Sequence, residues 1–437
     1  MVKISNVKIK VFPFCNMSTK TWVIVVVVVL LLSLVGLVVG LSCSSSHALD
    51  KELDYKVNNA LPSLSKYVSK LNTMYVPYDN NQLPLTVPMT WDEEEGGYMI
   101  TLGLDNNWIS LVFDTGSSHI SAKGLNCQWK QCDDSGSCTV TSCPKTSSYV
   151  PRGPQVSVNE QNKSLLEYGS QKSSVTHHVE PFSMFDLRLN CADLMRAGSF
   201  SSVQEFLNKV FPLGAPLVQF GPTLLFNVYS IEGSTTSNIF GLAQNNSSDS
   251  PAVLEALYPD DKKEKVWSLA CYPKHGLFSL GALRCYGTPK FIPLLQPSAF
   301  KKFLTTFYVV KLHGIHVTVG GVTKAVRKSS VPKFVVLDTG TTYTYCNKEL
   351  ASGLQEAGYN PGQCSVNLVL GSAVSNITLH YEPPALTNAF LTDLTDLDTM
   401  FNKVPVLLLG IEQMFNFYFE YNLSQQMLGI SNLSAPK

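Results

Sequence analysis

The sequence predicts a mostly β protein built from two similar lobes. Short runs rich in Val, Ile, Phe and Tyr alternate with turn residues, and 28 Gly and 24 Pro are spread among them. The chain has 437 residues, more than one ordinary core holds, which favours two lobes. In addition, one unusual element occurs twice, once in each half, which indicates an internal repeat.

The composition is that of a packed globular protein. Apolar residues make up 45% of the chain, and Lys plus Arg and Asp plus Glu are both 33, so the formal net charge is zero. A nucleic-acid-binding protein needs a clustered positive surface, and the sequence after residue 41 shows none. We therefore expect no nucleic-acid partner.

The N-terminus carries a targeting signal. Residues 22–41, WVIVVVVVLLLSLVGLVVGL, are uncharged and as a helix would span about 30 Å, the thickness of a bilayer core. Lysines precede this run, whereas the first acid of the chain is Asp50. This asymmetry predicts a cytosolic tail at 1–21, a signal anchor at 22–41, and a luminal or extracellular remainder. That is the topology of a single-pass type II membrane protein of the secretory or endolysosomal pathway. The alternative is a signal peptide cleaved near Ala48; a buried helix fits poorly because the run is not amphipathic.

Residues 42–92 are predicted to form a stem or pro-segment. The stretch begins polar and is interrupted by Pro77, Pro84 and Pro88. Compact β structure is expected from about Tyr98, where YMITLGL, a turn and WISLVF follow one another. Short helices are predicted at 202–211, 252–258 and 348–358.

The cysteines indicate an oxidising compartment. Of 11 cysteines, Cys15 is cytosolic and Cys43 lies at the membrane surface in this topology. Short gaps between the others predict four local disulfides and leave Cys191 unpaired. The predicted pairs are Cys127–Cys132, Cys138–Cys143, Cys271–Cys285 and Cys346–Cys364. A zinc site formed by the first four is the alternative, although their spacing is not C-x2-C.

Glycosylation sequons agree with a luminal chain. They lie at Asn162, Asn245, Asn246, Asn376, Asn422 and Asn432.

The repeated element joins an apolar run to Asp-Thr-Gly. It reads LVFDTGSS at 111–118 and VVLDTGTT at 335–342, and each copy is followed by an apolar–apolar–Gly element, at 238–243 and 406–411. Two lobes related by a pseudo-twofold axis, at 93–272 and 273–437, would bring Asp114 and Asp338 together in the cleft between them.

Two adjacent carboxyl groups cannot both ionise cheaply, so they share a proton, and one acts as base while the other acts as acid. Such a pair can deprotonate a water while it protonates an amide carbonyl, which metal-free hydrolysis of a peptide bond requires. Neighbouring residues would support the pair by tight turns, by links between the loops and by hydroxyl groups. These are Thr115, Gly116, Ser117, Thr339, Gly340 and Thr341.

The paired motifs resemble those of the pepsin-like aspartic endopeptidases, and the resemblance runs from about Tyr98 to Ile430. It implies a two-lobed, all-β, monomeric enzyme that needs no cofactor and is most active at acid pH. The cleft of such an enzyme accepts an extended protein or peptide substrate with apolar side chains beside the cut bond. Tyr168, Gly169 and Ser170 resemble the tip of the flap that closes over substrate. In an inactive precursor, the side chain of Lys66 or Lys70 could lie against Asp114 and Asp338 and block them. The alternative is an ordinary linker lysine.

Three departures from the family pattern stand out. After DTGSS the family has a Leu-Trp pair whose Trp supports the flap tyrosine, and here His119, Ile120 and Ser121 follow. The last loop carries Ile411 after glycine instead of Asp, and the segment between Cys132 and Tyr168 is longer than usual. A protein of the same fold that binds peptides or partners without cutting them is therefore the alternative function.

Other polar groups predict no further chemistry. His177 and His178 are expected in a solvated loop, and the acidic segment 391–398 lacks the glycine and spacing of a calcium loop. Ser117 and Ser118 lack a nucleophile elbow around them.

Overall fold

A computed structural model describes the chain from residue 75 to residue 433 with gaps, and all described residues belong to one compact unit, Ala60–Lys437. The predicted tail, the anchor at 22–41 and Lys66 and Lys70 lie outside the described residues. Within the described part, no helix has the length and apolar character needed to span a bilayer. The described ranges are 75–77, 84–104, 107–132, 136–143, 148–153, 155, 165–168, 171–185, 187–189, 192–194, 200, 205, 209, 217–232, 237–244, 252–259, 264–295, 307–382, 390–393, 397, 401 and 404–433.

Strands dominate the described residues, as the sequence predicts. Those of the larger sheet come from both halves of the chain. They are β1 (Tyr75–Pro77), β2 (Leu85–Asp92), β3 (Gly97–Leu104), β4 (Asn107–Asp114), β5 (Ile120–Cys132), β6 (Cys138–Ser142), β7 (Leu165–Tyr168), β8 (Gln171–Phe185), β9 (Leu217–Glu232), β10 (Ile239–Gly241), β11 (Val266–Tyr272), β12 (His275–Leu280), β13 (Lys290–Pro293), β22 (Phe417–Asn422) and β23 (Met427–Asn432).

The second sheet is formed by the C-terminal half alone. Its strands are β14 (Tyr308–Val319), β15 (Val322–Ala325), β16 (Phe334–Leu337), β17 (Thr344–Cys346), β18 (Ser365–Gly371), β19 (Asn376–Tyr381), β20 (Phe390–Asp393) and β21 (Val406–Leu409). Two short α-helices, α1 (Val253–Leu257) and α2 (Lys348–Ala357), lie where helices are predicted at 252–258 and 348–358. Of the predicted helix at 202–211 only residues 205 and 209 are described, and both are helical.

Helix α2 shows why its sequence specifies these bounds. The Asn347 side chain accepts a hydrogen bond from the N–H of Leu350 and caps the first turn. Gly358 ends the helix in the left-handed region, with φ of 93°.

The two halves repeat one arrangement of strands around each Asp-Thr-Gly element. In the first half, β4 runs parallel to β10, which also pairs antiparallel with β5. In the second half, β16 runs parallel to β21, which also pairs antiparallel with β17. The parallel pairing places Gly241 beside Asp114, and Leu409 beside Leu337. Each acid therefore lies where its strand ends, next to the downstream apolar–apolar–Gly element.

The folded part begins earlier than the sequence predicts. Strand β2, which falls in the predicted stem 42–92, is a buried member of the larger sheet and pairs along its length with β12 and at its end with β3. Pro88 pairs with Leu277 on the β12 side, whereas β3 pairs only with Thr90 to Asp92. Proline has no N–H to donate, but on the side of β2 that faces β3 no strand pairs with position 88. No hydrogen bond between strands is therefore lost there, which explains why a proline is tolerated in this strand.

The boundary predicted between residues 272 and 273 does not separate two sheets. It falls in the turn of the hairpin formed by β11 and β12, and β11 also pairs with β22 near the end of the chain. One sheet therefore connects the two lobes.

The disulfides are paired differently from the prediction. Cys127 is bonded to Cys143 and Cys132 to Cys138, so the two bonds are nested. The reason is the antiparallel ribbon of β5 and β6, in which Cys132 lies directly opposite Cys138 and the N–H of Cys143 donates to the carbonyl of Cys127. Cys127 and Cys143 are buried, whereas Cys132 and Cys138 are exposed.

The other two predicted pairs are also absent. Cys285 forms a disulfide while Cys271 carries a free thiol, so these two are not joined. Cys364 likewise carries a free thiol, whose S–H donates to the carbonyl of Asn360 at 3.2 Å, and it is not bonded to Cys346. Closeness in sequence does not predict which cysteines form a disulfide, because the register of the strands decides which of them face each other.

One predicted glycosylation site conflicts with the fold. Asn422 is 6% exposed, its amide nitrogen donates to Glu264, and its amide oxygen accepts from the N–H of Gln425. Both ends of the amide are therefore occupied inside the protein. Asn376 and Asn432 are exposed, and Asn162, Asn245 and Asn246 lie outside the described residues.

Peptide mapping without reduction distinguishes the nested pairing from the predicted pairing of adjacent cysteines. Digestion with trypsin and with a protease that cuts before Asp separates Cys127, Cys132 and the Cys138–Cys143 segment, because Lys130 and Asp133 lie between them. We expect all three fragments to stay linked. A linked pair containing only Cys127 and Cys132 would show the adjacent pairing instead.

Candidate active site

Asp114 ends strand β4 and is held by the loop that follows it. The residue is buried, with 7% of its surface exposed. The N–H of Gly116 donates to Oδ1 at 2.7 Å, and the hydroxyl of Ser117 donates to Oδ2 at 2.6 Å. Both carboxylate oxygens therefore have donors from the same loop, which fixes the orientation of the group.

Asp338 follows strand β16 and is held in the same way. The N–H of Gly340 donates to Oδ1 at 3.0 Å, and the hydroxyl of Thr341 donates to Oδ2 at 2.7 Å. The side chain is less deeply buried than that of Asp114. Two loops from distant parts of the sequence thus present the same donors to the same group.

The structure brings the two carboxyl groups into contact. They lie close enough for each to affect the ionisation of the other. The glycines show how closely the loops face each other, since a β-carbon added to Gly116 would lie 2.8 Å from Oδ1 of Asp338 and one added to Gly340 would collide with the carboxyl of Asp114. Glycine is thus needed at both positions to make room for the opposite acid.

Two buried threonines join the loops. The N–H of Thr115 donates to Oγ1 of Thr339, and the N–H of Thr339 donates to Oγ1 of Thr115, both at 3.0 Å. Each hydroxyl then donates across to the opposite strand: Thr115 to the carbonyl of Leu337 at 3.0 Å, and Thr339 to that of Phe113 at 2.8 Å. Every polar atom of this cross-link has a partner, so the separation of the two acids is fixed.

Burial and mutual repulsion disfavour ionisation of the pair. Removal from water raises the pKa of Asp338, and the charge of Asp114 raises it further. Removal from water also raises the pKa of Asp114, although the hydrogen bonds from Ser117 and Gly116 oppose this. The two groups titrate as a unit, and the raised pKa values favour a pair that holds a shared proton.

The apolar–apolar–Gly elements lie behind both loops. In the first half, the N–H of Leu242 donates to the carbonyl of Asp114 at 2.7 Å, and that of Ala243 to the carbonyl of Ser117 at 2.6 Å. In the second half, the N–H of Asp338 donates to the carbonyl of Leu409 at 3.1 Å. The backbone of each acid is therefore fixed independently of its side chain.

The predicted flap segment lies on a hairpin. Strand β7 ends at Tyr168, which pairs with Gln171 at the start of β8, so residues 169 and 170 connect the two strands. The side chain of Tyr168 lies outside what the structure describes. The role of this hairpin in binding substrate remains a prediction.

A histidine–phenylalanine cluster lies beside the first loop. The ring of Phe226 is 5.0 Å from that of His119 and 5.1 Å from that of His177, which belongs to β8. His177 is therefore a buried strand residue, and the prediction of a solvated loop for it is wrong. The cluster connects the residue after DTGSS to the strand that continues into the hairpin, near the position where the family has its tryptophan.

Among the described residues, no group of three or more His, Cys, Asp and Glu side chains is arranged to hold a metal ion. The acidic segment 391–398, predicted as a loop, begins within β20. One further residue lies near the site, Tyr308, whose hydroxyl donates to the carbonyl of Leu242 at 2.6 Å. Only a contact between distant segments identifies it.

Solved structures of known proteins share this architecture. An aspartic proteinase from Irpex lacteus is 15% identical in sequence, with a TM-score of 0.50 over 81% of this chain and 99% of the proteinase. Basic 7S globulin from soybean is 12% identical, with a TM-score of 0.51 over 80% of this chain and 96% of the globulin. No family model and no curated protein matches the sequence. At these identities the likeness shows the fold alone.

The threonine cross-link should contribute measurably to stability. Replacing Thr115 by Val keeps the shape but leaves a buried N–H and a buried carbonyl without partners, so we expect a loss of about 2–4 kcal/mol in the free energy of unfolding. Thr115→Ser, which keeps the hydroxyl, should lose much less. Urea unfolding measures both.

A double-mutant cycle tests the reciprocity of the same cross-link. Thr115→Val and Thr339→Val together should cost clearly less than the sum of their separate effects, because the loss of either hydroxyl lets the loops move apart and weakens the bonds made by the other. Additive effects within about 0.5 kcal/mol would contradict the cross-link.

The carboxyl pair should make stability depend on pH. A group whose pKa is raised by folding stabilises fully below its unfolded pKa, near 4, and this contribution is lost as pH rises through the folded pKa. Asp338→Asn removes that titration. The melting temperature of the variant should therefore rise relative to the unaltered protein between about pH 4 and pH 8.

Glu356→Gln, at an exposed position, is the matched control for this measurement and should show no such change. A melting-temperature difference for Asp338→Asn that is constant with pH would show that the pair does not titrate as inferred.

Proposed function

Because the chain has the pepsin-like aspartic protease fold, we propose that it is an aspartic endopeptidase that hydrolyses peptide bonds of proteins. The observation that carries the proposal is the contact between the carboxyl groups of Asp114 and Asp338 at the junction of two equivalent loops. Each acid has a backbone donor and a hydroxyl donor of its own. The geometry is suited to a pair that holds one proton between two fixed carboxyl groups.

The chemistry follows from that shared proton. The ionised carboxyl takes a proton from a water molecule, while the protonated one donates to the carbonyl oxygen of the peptide bond. The oxygen of the water then attacks the carbonyl carbon. As the carbon–nitrogen bond breaks, the leaving amine takes the proton that the first carboxyl received from the water, and a hydroxyl of the intermediate returns a proton to the second carboxyl. The raised pKa values support this assignment, because a pair that retains a proton at acid pH can supply both an acid and a base.

The proposal assigns supporting roles to the neighbouring residues. Thr115 and Thr339 fix the distance between the carboxyl groups, and the hydroxyls of Ser117 and Thr341 orient them. The hairpin that ends at Tyr168 would cover an extended peptide substrate.

The proposal includes a location on the luminal or extracellular side of a membrane. Nested disulfides fit an oxidising compartment. The lysine-rich tail and the uncharged run at 22–41 support a type II anchor.

A binding protein of the same fold is the second candidate. It is favoured by the segment His119-Ile120-Ser121, which stands where the family has the Leu-Trp pair that supports the flap tyrosine, and by the likeness to a globulin. Such a protein would bind an extended peptide in the cleft and release it uncut.

Peptide cleavage by the purified full chain between about pH 3 and pH 8 tests the proposal. We expect a rate that is highest at acid pH and falls as the shared proton is lost. Asp338→Asn should lower the rate by about a hundred- to ten-thousandfold, since it removes one of the two proton-transfer groups.

Two controls separate the candidates. A transition-state inhibitor of aspartic proteases should abolish the cleavage, and Glu356→Gln, which alters an exposed carboxyl, should not change it. A folded protein that binds the inhibitor but cuts no peptide, even after acid treatment to release a pro-segment, is a binding protein. A rate that is flat across the range would contradict the shared-proton mechanism.

A further inference from the structure

The hydroxyl of Tyr308 joins the second half of the chain to the loop behind Asp114. Tyr308 begins strand β14 and is fully buried. Its hydroxyl donates to the carbonyl oxygen of Leu242 at 2.6 Å, across 66 residues of sequence. Leu242 directly follows β10, the strand that runs parallel to the one ending in Asp114.

The peptide group that accepts this bond also contacts the loop of Asp114. It is the peptide between Leu242 and Ala243, and its N–H donates to the carbonyl of Ser117 at 2.6 Å. Because a peptide group is planar, a partner that fixes its oxygen also fixes the direction of its N–H. Tyr308 therefore orients the donor on which the position of Ser117 depends.

Ser117 transmits that orientation to the carboxyl group. Its hydroxyl donates to Oδ2 of Asp114 at 2.6 Å, and this bond lowers the pKa of Asp114 against the effect of burial. The path from Tyr308 to Asp114 thus consists of three hydrogen bonds, joined by the Leu242–Ala243 peptide and by Ser117.

In the second half, the equivalent peptide group is fixed by a turn that directly follows it. There the N–H of Ile411 donates to the carbonyl of Thr341 at 2.8 Å, in the role that Ala243 has in the first half. The oxygen of that peptide, on Gly410, accepts from the N–H of Gln413 at 3.2 Å, within the same turn. The loop of Asp338 is therefore oriented by its own backbone, whereas that of Asp114 relies on a distant side chain.

We propose that Tyr308 is a positioning residue for Asp114, acting through the Leu242–Ala243 peptide and Ser117. The inference rests on the proposed peptidase function and adds a residue outside both Asp-Thr-Gly elements to the machinery. Without the hydroxyl, the buried carbonyl of Leu242 loses its donor, and the peptide turns toward another partner. The hydroxyl of Ser117 then no longer lies in line with Asp114. Burial raises the pKa of Tyr308, so its hydroxyl keeps the proton that it donates.

Tyr308→Phe removes only that hydroxyl. We expect kcat for peptide cleavage by the full chain to fall about tenfold, with KM changed less than twofold. The acid limb of the pH–rate profile should move to higher pH, because a weakened bond from Ser117 raises the pKa of Asp114. The alkaline limb should move less, since the donors to Asp338 are unchanged.

Tyr381→Phe is the matched control. Tyr381 is also buried, and its hydroxyl donates to a backbone carbonyl, that of Gln413, at 2.9 Å. This variant should lose similar stability without moving the acid limb. The proposal would be overturned if the acid limb of the pH–rate profile moved equally in both tyrosine variants, or did not move in Tyr308→Phe.

Ser117→Ala tests the path. It should move the acid limb by itself, and adding Tyr308→Phe should move it no further, because both changes act on the same bond. If the shifts of the acid limb in Ser117→Ala and Tyr308→Phe added up in the double variant, Tyr308 would act by another route.

Carbon-13 NMR of the aspartate carboxyl groups provides a readout that does not depend on turnover. The titration of Asp114 should move to higher pH in Tyr308→Phe and stay unchanged in Tyr381→Phe. If the unaltered chain cleaves no peptide, the proposed function fails, while this titration still decides whether Tyr308 positions Asp114.

Discussion

Two carboxyl groups that touch in a region poor in water repel each other whenever both ionise, and the rest of this structure is arranged to hold them together. The reciprocal hydrogen bonds of Thr115 and Thr339 provide the direct link, with each N–H donating to the opposite hydroxyl. The strands behind each loop anchor these threonines through the carbonyls of Phe113 and Leu337. The apolar residues that precede each acid are buried, so neither loop can relax toward water without breaking this core.

The two halves are alike in outline and different in their support. Both acids receive a backbone N–H and a hydroxyl from the next residues. Behind Asp114, however, the loop depends on a tyrosine from the other half of the chain, and behind Asp338 it depends on its own turn. In the proposed reaction the two equivalent carboxyl groups take opposite roles, and a difference in their surroundings is what allows one to differ from the other.

Local sequence was enough to predict the parts of the site that are close together in the chain. The strand that ends in Asp114, its glycine and hydroxyl residues, and helix α2 all have short-range signals. Strand β2 was missed because Pro77, Pro84 and Pro88 indicate a stem, whereas Pro88, which lies within the strand, faces a side without a pairing partner at that point. The disulfide pairing was missed because four cysteines allow three pairings, and only the register of β5 and β6 selects one. Tyr308 was missed because a hydroxyl that reaches a distant carbonyl leaves no periodic pattern.

The sheet that connects the lobes has a consequence for the order of folding during synthesis. Strand β11, at 266–272, pairs with β22, at 417–422, which in turn pairs with β23. The first half therefore leaves the ribosome with β11 and its neighbours open along one edge, and remains so until about 150 further residues have been made. An exposed, apolar edge is prone to pair with other chains. We expect chains truncated before residue 417 to need a chaperone or to aggregate, even though they contain the complete first loop.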